Sequence, residues 1–194
     1  MRHDSPQARV VVGFSSLRRE SAAAQGEIPF RGKPPLGIVI REEPLDQIDE
    51  YARIPCAFVV DSVGIIRTGA IVTEVPVARP WVKDYDAIPG NHPRDWPRRF
   101  DTAGWRLLIV RQSNNPVGGA VLISGAPDLD LLEGRPDTAI LWDLRVVPRL
   151  RRQGIGSALF LAARRWAADR DCLCLLIESQ DINVPACRFY ARMG

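Results

Sequence analysis

The amino-acid sequence predicts an α/β domain built on a mixed sheet, and three observations lead to this class. An apolar hairpin occupies residues 105–123, and the order after it is strand, helix, strand, helix. A helix that crosses between two strands of one sheet joins them in parallel, so the strands at 139–147 and 173–178 are predicted to be a parallel pair. A chain of 194 residues suffices for one domain with a sizeable core, but not for two.

The N-terminal part of the chain is predicted to begin with a tail. Residues 1–35 are rich in Arg, Ser, Ala, Gly and Pro without sustained apolar periodicity, so we expect a flexible tail before a domain at 36–194. Beyond the tail, β-branched residues predict strands, and apolar positions at helical spacing predict a helix. These elements are a strand at 36–41, a helix at 45–54, and strands at 56–63 and 69–77.

The middle of the chain is predicted to be a long loop. Residues 79–104 contain four prolines among aromatic and charged residues, and a loop of this length in a compact domain is usually functional or mobile. After this loop, strands and helices are predicted again, and the first of them form the hairpin at 105–123. The predicted elements are strands at 105–110 and 117–123 around a turn at 112–116, a strand at 139–147, an amphipathic helix at 154–169, a strand at 173–178 and a helix at 184–193.

Composition and charge exclude several classes of protein. Hydrophobic residues make up 46% and charged residues 25% of the chain, and the apolar runs are only strand-sized, so we expect neither disorder nor a membrane span. The net charge of +3 is too small to predict binding to nucleic acid or anionic membranes. The N-terminus lacks a secretory signal, so a cytoplasmic location is expected. Cys172 and Cys174 are interpreted as buried free thiols, and with His3 and His92 as the only histidines we expect no metal site.

The most informative segment is residues 146–160, where a strand passes through a basic, glycine-bearing turn directly into the amphipathic helix. Gly154 and Gly156 have no Cβ, so a ligand can approach the backbone closely. The free N–H groups at the start of a helix, together with the positive end of its dipole, attract anions. Arg151 and Arg152 add positive charge, and the turn is therefore predicted to bind phosphate.

Spacing excludes two common nucleotide-binding loops. A Walker loop needs a glycine, four residues and then Gly-Lys-Ser/Thr, and the sequence contains no such run. A dinucleotide fingerprint needs a third glycine at the position where Leu159 stands. For Arg151 and Arg152 the remaining alternatives are solvated charges or a nucleic-acid patch.

The spacing Arg151-x-x-Gly154-x-Gly156 resembles the signature of the GNAT superfamily of N-acetyltransferases, in which this turn holds the pyrophosphate of coenzyme A. Residues 176–194 are similar to the strand and helix that follow the turn in this family. The matching residues there are Asn183, Ala186, Phe189, Tyr190 and Gly194. Around Glu178 and Asn183 the sequence most resembles the streptothricin acetyltransferase type. The resemblance is strong over the C-terminal third and weak over the hairpin.

This resemblance implies a mixed, mostly antiparallel sheet flanked by helices, with the parallel pair splayed around the CoA site. It also implies an acyl-CoA-dependent N-acyltransferase that moves the acetyl group of acetyl-CoA to a primary amine of a small molecule, such as an antibiotic, or of a protein. Acetyl-CoA is then a cosubstrate, and no metal is expected. The residues expected to contact it are Val146, Val147, Arg151, Arg152, Gln153, Gly154, Ile155, Gly156, Ser157, Asn183 and Ala186.

Catalysis by such an enzyme requires a neutral amine, yet an amine with a pKa of about 10.4 is protonated at pH 7. A carboxylate or an ordered water chain is expected to take the proton, and Asp143 and Glu178 are the two candidates. For each, the alternative is an acceptor-binding or structural carboxylate. The resemblance places Tyr190 beside the departing sulfur as the acid; the alternative is a core tyrosine stacked with Phe189.

GNAT domains normally continue with two more strands after the helix that carries Tyr190, whereas this sequence stops at Gly194. We therefore expect the C-terminal strands to be lacking, with an exposed sheet edge and an uncovered helix face. Either low stability or self-association, for example as a homodimer, should follow. The alternative function is a catalytically impaired module that binds CoA without turnover.

Overall fold

The computed structural model describes residues 9–15, 17, 38–67, 70–125 and 135–194. The strands in this part of the chain are β1 (Arg9–Ser15), β2 (Ile38–Glu43), β3 (Phe58–Arg67), β4 (Ala70–Lys83), β5 (Trp105–Gln112), β6 (Asn115–Ser124), β7 (Thr138–Val146) and β8 (Cys174–Gln180). The α-helices are α1 (Ile48–Tyr51), α2 (Trp96–Arg99), α3 (Ile155–Ala168) and α4 (Val184–Arg192).

The described strands form a six-stranded sheet and a separate hairpin. The order in the sheet is β1-β8-β7-β6-β5-β2, and the hairpin consists of β3 and β4. The strands β7 and β8 are parallel and joined by α3, while all other pairs are antiparallel. The predicted fold class, a mixed and mostly antiparallel sheet with one parallel pair, is therefore confirmed.

Each face of the large sheet carries its own apolar core, because successive side chains of a strand point to opposite faces. Leu108 and Val110 of β5 pack under α3 and α4, while Leu107 and Ile109 pack under α1 and α2. The apolar face predicted for the long helix is buried in the first of these cores, at Ile155, Leu159, Ala163 and Trp166. Helices thus pack on both faces of the large sheet. The candidate site lies at one end of this sheet.

The predicted flexible tail is wrong for Arg9–Ser15, which forms β1. This strand pairs antiparallel with β8 along its outer edge. Val10 and Phe14 point into the core, and the ring of Phe14 lies 4.9 Å from that of Phe160 in an edge-to-face contact. Burial of these side chains offsets the entropy of ordering the segment. The rest of the predicted tail, apart from Leu17, lies outside the described residues.

The sheet edge expected to be exposed at β8 is therefore covered by β1, and α4 is covered as well. The hairpin of β3 and β4 packs against α4, with the backbone N–H of Gly64 donating to the carbonyl of Asp181 at 2.9 Å. Arg188 of α4 forms an ion pair with Glu74 of β4 at 2.5 Å. The expected uncovered edge and helix face are thus wrong for the described residues, because segments from the N-terminal half lie beside β8 and α4.

Two predicted segments differ in kind from the observed structure. The helix predicted at 45–54 is a 3₁₀ turn (Leu45–Gln47) followed by the single turn of α1. The loop predicted at 79–104 begins with the end of β4 and contains a 3₁₀ turn (Pro93–Asp95) that leads into α2. Proline near the start of a helix has its φ already set for helix geometry, so prolines there begin helical turns instead of excluding them.

No helix in the described part of the chain has the length and apolar character needed to cross a membrane. All four cysteines are free thiols. Cys172 is buried as predicted, whereas Cys174, the first residue of β8, is only half-buried.

Candidate active site

A cavity of about 530 Å³ opens where β7 and β8 separate. The parallel pairing begins with Thr138 opposite Cys174 and ends with Leu141 opposite Ile177. Beyond that last pair, both strands continue without pairing to each other. The carboxyl ends of parallel strands are where ligands bind in open α/β sheets, so this gap is the candidate active site.

A β-bulge in β7 decides which side chains enter the cavity. The register against β6 shifts at Trp142, an extra residue between the paired Leu141 and Asp143. An extra residue reverses the alternation of side chains in the rest of the strand. Leu144 consequently packs against the core under α3, while the guanidinium of Arg145 lies over the ring of Tyr51 on the opposite face. The candidate carboxylate Asp143 is thereby turned toward the cavity.

Tyr190 projects from α4 into the cavity and is only 8% exposed. Its ring packs edge-on against Phe189 at 5.1 Å and also contacts Phe160. Burial raises the pKa of the phenol well above its usual value, and the nearby groups of Asp143 and Cys187 raise it further. The hydroxyl therefore keeps its proton at neutral pH, and the residue is at once a core aromatic and a cavity residue.

Asp143 and Arg145 form an ion pair in which Nε donates to Oδ2 at 2.6 Å. Burial alone would lower the pKa of Arg145, but the carboxylate of Asp143 and its other neighbours raise it, so the guanidinium stays charged. A carboxylate has about four lone-pair positions, so this pairing leaves Asp143 able to accept further hydrogen bonds in the cavity.

Glu178 lies on the other side of the gap, directly after the last parallel pair of β8. Both of its oxygens accept hydrogen bonds from the guanidinium of Arg9, with Nε donating to Oε1 at 2.8 Å. Arg9 belongs to β1, so the N-terminal strand supplies the partner of a predicted site residue. The structure thus brings Tyr190, Asp143 and Glu178 to one cavity.

The predicted anion turn lies between β7 and α3. A 3₁₀ turn (Pro148–Leu150) follows β7, and Arg152 and Gly154 then adopt left-handed conformations with φ of 66° and 88°. Gly154 is the N-cap of α3, and a Cβ built there would meet no atom within 4 Å. The first N–H groups of any α-helix lack intrahelical acceptors, so this open turn presents donors to an anion.

The side chain of Arg151 contacts backbone carbonyls at the end of β7 and in the segment after α1. Its Nε donates to the carbonyl of Val146 at 3.0 Å, and its Nη2 approaches the carbonyls of Pro55 and Ala57 at 3.5 and 3.4 Å. Burial lowers its pKa. Arg151 therefore ties the turn to the segment after α1, and the predicted contact of its side chain with phosphate stays a prediction.

The other predicted cofactor residues fall into two groups. Asn183 and Ala186 line the cavity, and Asn183 also caps α4 by accepting from the N–H of Ala186 at 3.3 Å. The second group occupies the end of β7, the turn and the first turn of α3, outside the cavity lining, and consists of Val146, Val147, Arg151, Arg152, Gln153, Gly154, Ile155, Gly156 and Ser157. Within this group Ile155 is a core residue at 1% exposure. The contact predicted between Ile155 and the cofactor therefore stays a prediction for its backbone alone.

Sequence reasoning missed several residues of the cavity, and Arg145 is the buried charged residue among them. The spacing Asp143-x-Arg145 places both charges on one face of a strand, which is a signal that could have identified the pair. Tyr85 lies in the predicted long loop, and its hydroxyl donates to Gln180 Oε1 at 2.8 Å. The remaining members missed are Arg9, Cys56, Asn91, Trp96, Arg99, Phe100, Ile140, Leu141, Trp142, Leu144, Ser179 and Gln180.

Among the described residues, one group has the spacing of a metal site. The side-chain ligand atoms of Cys56, Asp84 and Asp86 lie within 4.8 Å of one another. Asp86, however, binds Arg145 through both oxygens, and the Cys56 thiol donates to Asp84 at 3.3 Å. Burial raises the pKa of Cys56 to about 11, which keeps the thiol protonated. Contacts within the protein account for this group, and we assign no metal to it.

Comparison with known proteins gives a family match and several relatives. The model of the acetyltransferase (GNAT) family matches residues 77–194. A stretch of 54 residues is 41% identical to streptothricin acetyltransferase A of Bacillus subtilis strain 168, covering 28% of this chain and 31% of that protein. Over 152 residues, the chain is 27% identical to streptothricin acetyltransferase of Streptomyces lavendulae, covering 78% of this chain and 75% of the relative. The chain thus spans about a third of the first relative and three quarters of the second.

Two solved structures share the fold. Nourseothricin acetyltransferase superposes with a TM-score of 0.61 at 23% identity, covering 81% of this chain and 82% of that one. A protein of Bacillus anthracis str. Ames, solved in complex with acetyl coenzyme A, superposes with a TM-score of 0.61 at 23% identity. The superposition covers 81% of this chain and 83% of that one.

Proposed function

We propose that this chain, which belongs to the acetyltransferase (GNAT) family, transfers the acetyl group of acetyl-CoA to a primary amine of a streptothricin-class antibiotic. The observation that carries the proposal is the gap between β7 and β8, which opens a cavity containing Tyr190, Asp143 and Glu178. The antibiotic class is suggested by the names of the relatives. Family membership agrees with the resemblance seen in the turn and in the helix of Tyr190.

In this proposal the turn before α3 binds the diphosphate of acetyl-CoA. Helix N–H groups contribute roughly 0.3 to 1 kcal/mol each to the binding of a negative charge, so several of them together hold a diphosphate. Arg151 acts by fixing the turn against the carbonyls of Pro55 and Ala57, and the exposed Arg152 adds charge. The acyl end of the cofactor then extends past Asn183 and Ala186 into the cavity.

The reaction begins with loss of a proton from the acceptor amine. Deprotonating an amine with a pKa of about 10.4 at pH 7 costs about 4 to 5 kcal/mol, which a positioned acceptor of the proton offsets. Asp143 or Glu178, directly or through a water, accepts this proton. The amine nitrogen then attacks the thioester carbonyl carbon, and the C–S bond breaks as the amide forms.

The sulfur leaves as a thiolate and takes a proton from the Tyr190 hydroxyl. Because Tyr190 is buried, its phenol keeps this proton until charge develops on the sulfur. The nitrogen loses a second proton as the amide forms. One of the two protons taken from the nitrogen returns to the phenolate through the cavity and the other passes to solvent, so the protein ends the cycle unchanged. The products are the acetylated amine and free CoA.

The assay that tests this function combines acetyl-CoA with streptothricin and follows both free thiol and the mass of the antibiotic. We expect thiol release together with the mass increase of one acetyl group. Aminoglycoside and peptide amines, tested in parallel, distinguish a narrow from a broad acceptor range. Binding of acetyl-CoA by calorimetry without thiol release from any amine would instead support the alternative, a CoA-binding module without turnover.

Replacement of Gly154 tests the anion turn. Gly154→Val places a branched side chain over the N-terminus of α3, and we expect the dissociation constant of acetyl-CoA to rise by about tenfold or more. Gly125→Val is a matched control, because Gly125 also has a positive φ, of 66°, and open space around its Cα, but lies at the far end of β6. Calorimetry on both variants measures the effect, and equal affinities would contradict the assignment of the turn.

Separate replacement of the two carboxylates identifies the acceptor of the amine proton. For the residue that accepts it, Asp143→Asn or Glu178→Gln should lower kcat by about tenfold or more at neutral pH. The loss should shrink as the pH approaches the pKa of the amine, because more of the amine is then already neutral. Asp169→Asn, an exposed carboxylate at the far end of α3, is the control. Parent rates in both cavity variants would exclude the two carboxylates from the proton transfer.

A further inference from the structure

Arg145 is a buried cation with an unusually complete set of partners. Its side chain is only 3% exposed, and Nη1 and Nη2 donate to the two oxygens of Asp86 at 2.7 and 2.8 Å. Nε donates to Asp143, and Nη1 also donates to the carbonyl of Ile54 at 3.2 Å. Four of the five N–H groups of the guanidinium are thus used.

The guanidinium of Arg145 also packs against Tyr51 of α1, and the Tyr51 ring in turn packs against β6. The guanidinium carbon of Arg145 lies 5.2 Å from the centroid of the buried Tyr51 ring. Gly119 of β6 is the partner of Arg145 in the sheet, and a Cβ on Gly119 would lie 2.8 Å from the Tyr51 ring. The ring therefore occupies the room left by the glycine and forms one wall around the guanidinium. Arg145 is held in a single position by packing as well as by hydrogen bonds.

The partners of Arg145 connect two sides of the cavity. Asp143 belongs to β7, whereas Asp86 belongs to residues 84–100, which we call the wall segment. Five side chains of the wall segment line the cavity, namely Tyr85, Asn91, Trp96, Arg99 and Phe100. The bidentate contact with Asp86 is the charged link between this segment and β7.

We propose that Arg145, through Asp86, is a positioning residue that sets the wall segment against Asp143 and so determines how the acceptor amine is bound. This inference rests on the proposed acetyl transfer, because it assigns the wall segment to the acceptor side of that reaction. A planar guanidinium fixes both the distance and the orientation of a carboxylate, which a lysine ammonium at the same place does not. Because its N–H groups already donate to Asp86, Asp143 and the carbonyl of Ile54, Arg145 acts through these partners.

Two variants separate positioning from a general loss of structure. Asp86→Asn removes the charged link but leaves the Arg145 contact with Asp143, so the KM for the acceptor should rise by about tenfold while kcat and acetyl-CoA affinity change less than about threefold. Arg145→Lys disturbs both carboxylates, so kcat should fall as well as the acceptor KM rise. In the double variant the rise in the acceptor KM should not exceed the larger single effect, because both changes break one link.

Hydrogen exchange gives a readout that needs no acceptor. The backbone N–H groups of Ile88, Asn91, Asp95 and Phe100 all donate within the wall segment. Their exchange should accelerate by about tenfold in Asp86→Asn and in Arg145→Lys, while amides of the central strand β6 stay at the wild-type rate. Asp49→Asn is the matched control: it breaks the exposed ion pair of Asp49 with Arg94 of the same segment and should leave both exchange and KM unchanged.

The outcomes distinguish this inference from the proposed function. Absence of wild-type turnover would overturn the proposed function, while exchange would still decide whether Arg145 holds the wall segment. Unchanged exchange in both variants overturns the inference even if the wild type acetylates streptothricin. Faster exchange with an unchanged acceptor KM also overturns it, because Arg145 would then be structural only.

Discussion

Tyr190→Phe is expected to lower kcat by about 100-fold while leaving the affinity for acetyl-CoA unchanged. The change removes one hydroxyl and keeps the ring, so the contacts with Phe160 and Phe189 persist. A loss confined to kcat is the signature of an interaction made in the transition state, here the proton given to the departing sulfur. Single-turnover thiol release and calorimetry with acetyl-CoA measure the two quantities.

The pH dependence of the parent enzyme supplies a second check on Tyr190. Burial raises the pKa of its phenol, so the hydroxyl stays protonated through the range from about pH 7 to pH 9, over which the neutral fraction of the amine grows. The rate should therefore rise with pH over this range without a decline caused by Tyr190. If Tyr190→Phe acetylates at the parent rate, Tyr190 is only a core aromatic and another donor protonates the thiolate.

Phe14→Ala is expected to lower the free energy of unfolding by about 3 to 5 kcal/mol. Phe14 is 4% exposed, packs against Phe160 of α3 and is the main apolar anchor of β1. Its loss leaves a cavity under the sheet and weakens the pairing of β1 with β8. Chemical unfolding followed by circular dichroism measures the change.

Val11→Ala is the matched control on the same strand. Val11 is 45% exposed on the opposite face, so its truncation should change stability by less than about 1 kcal/mol. A small effect of Phe14→Ala, similar to that of Val11→Ala, would contradict the place of β1 in the sheet. Because Arg9 of β1 binds Glu178, undocking of this strand should also free that carboxylate.

Sequence reasoning was most reliable where structure depends on neighbours in the chain. The turn from Arg151 to Gly156 combines glycines, basic residues and a helix start within a few positions, and Gly154 there adopts a positive φ that glycine tolerates without strain. The crossover from β7 through α3 to β8 likewise follows from the order of elements, because chain connectivity requires such strands to be parallel. The family resemblance in these segments is confirmed by the match over residues 77–194.

The N-terminal strand was missed because its partner lies far away in sequence. Residues 9–15 read Arg-Val-Val-Val-Gly-Phe-Ser, a β-branched run that predicts a strand by itself. The flanking residues, rich in Arg, Ser, Ala, Gly and Pro, predict a tail instead, and only pairing with β8 and burial of Phe14 make the strand stable. Arg9 and Glu178 are 169 positions apart, so no local pattern could join them.

The chemistry of the cavity was decided by tertiary structure in the same way. The sequence by itself determined the residue types at Asp143, Glu178 and Tyr190 and the strands and helix that carry them. The bulge at Trp142 turns Asp143 toward the cavity. Arg145 binds Asp86, which lies 59 residues away in the sequence. Local structure follows from backbone sterics and periodicity over a few residues, whereas the direction of a side chain and the partner of a buried charge depend on how distant segments pack.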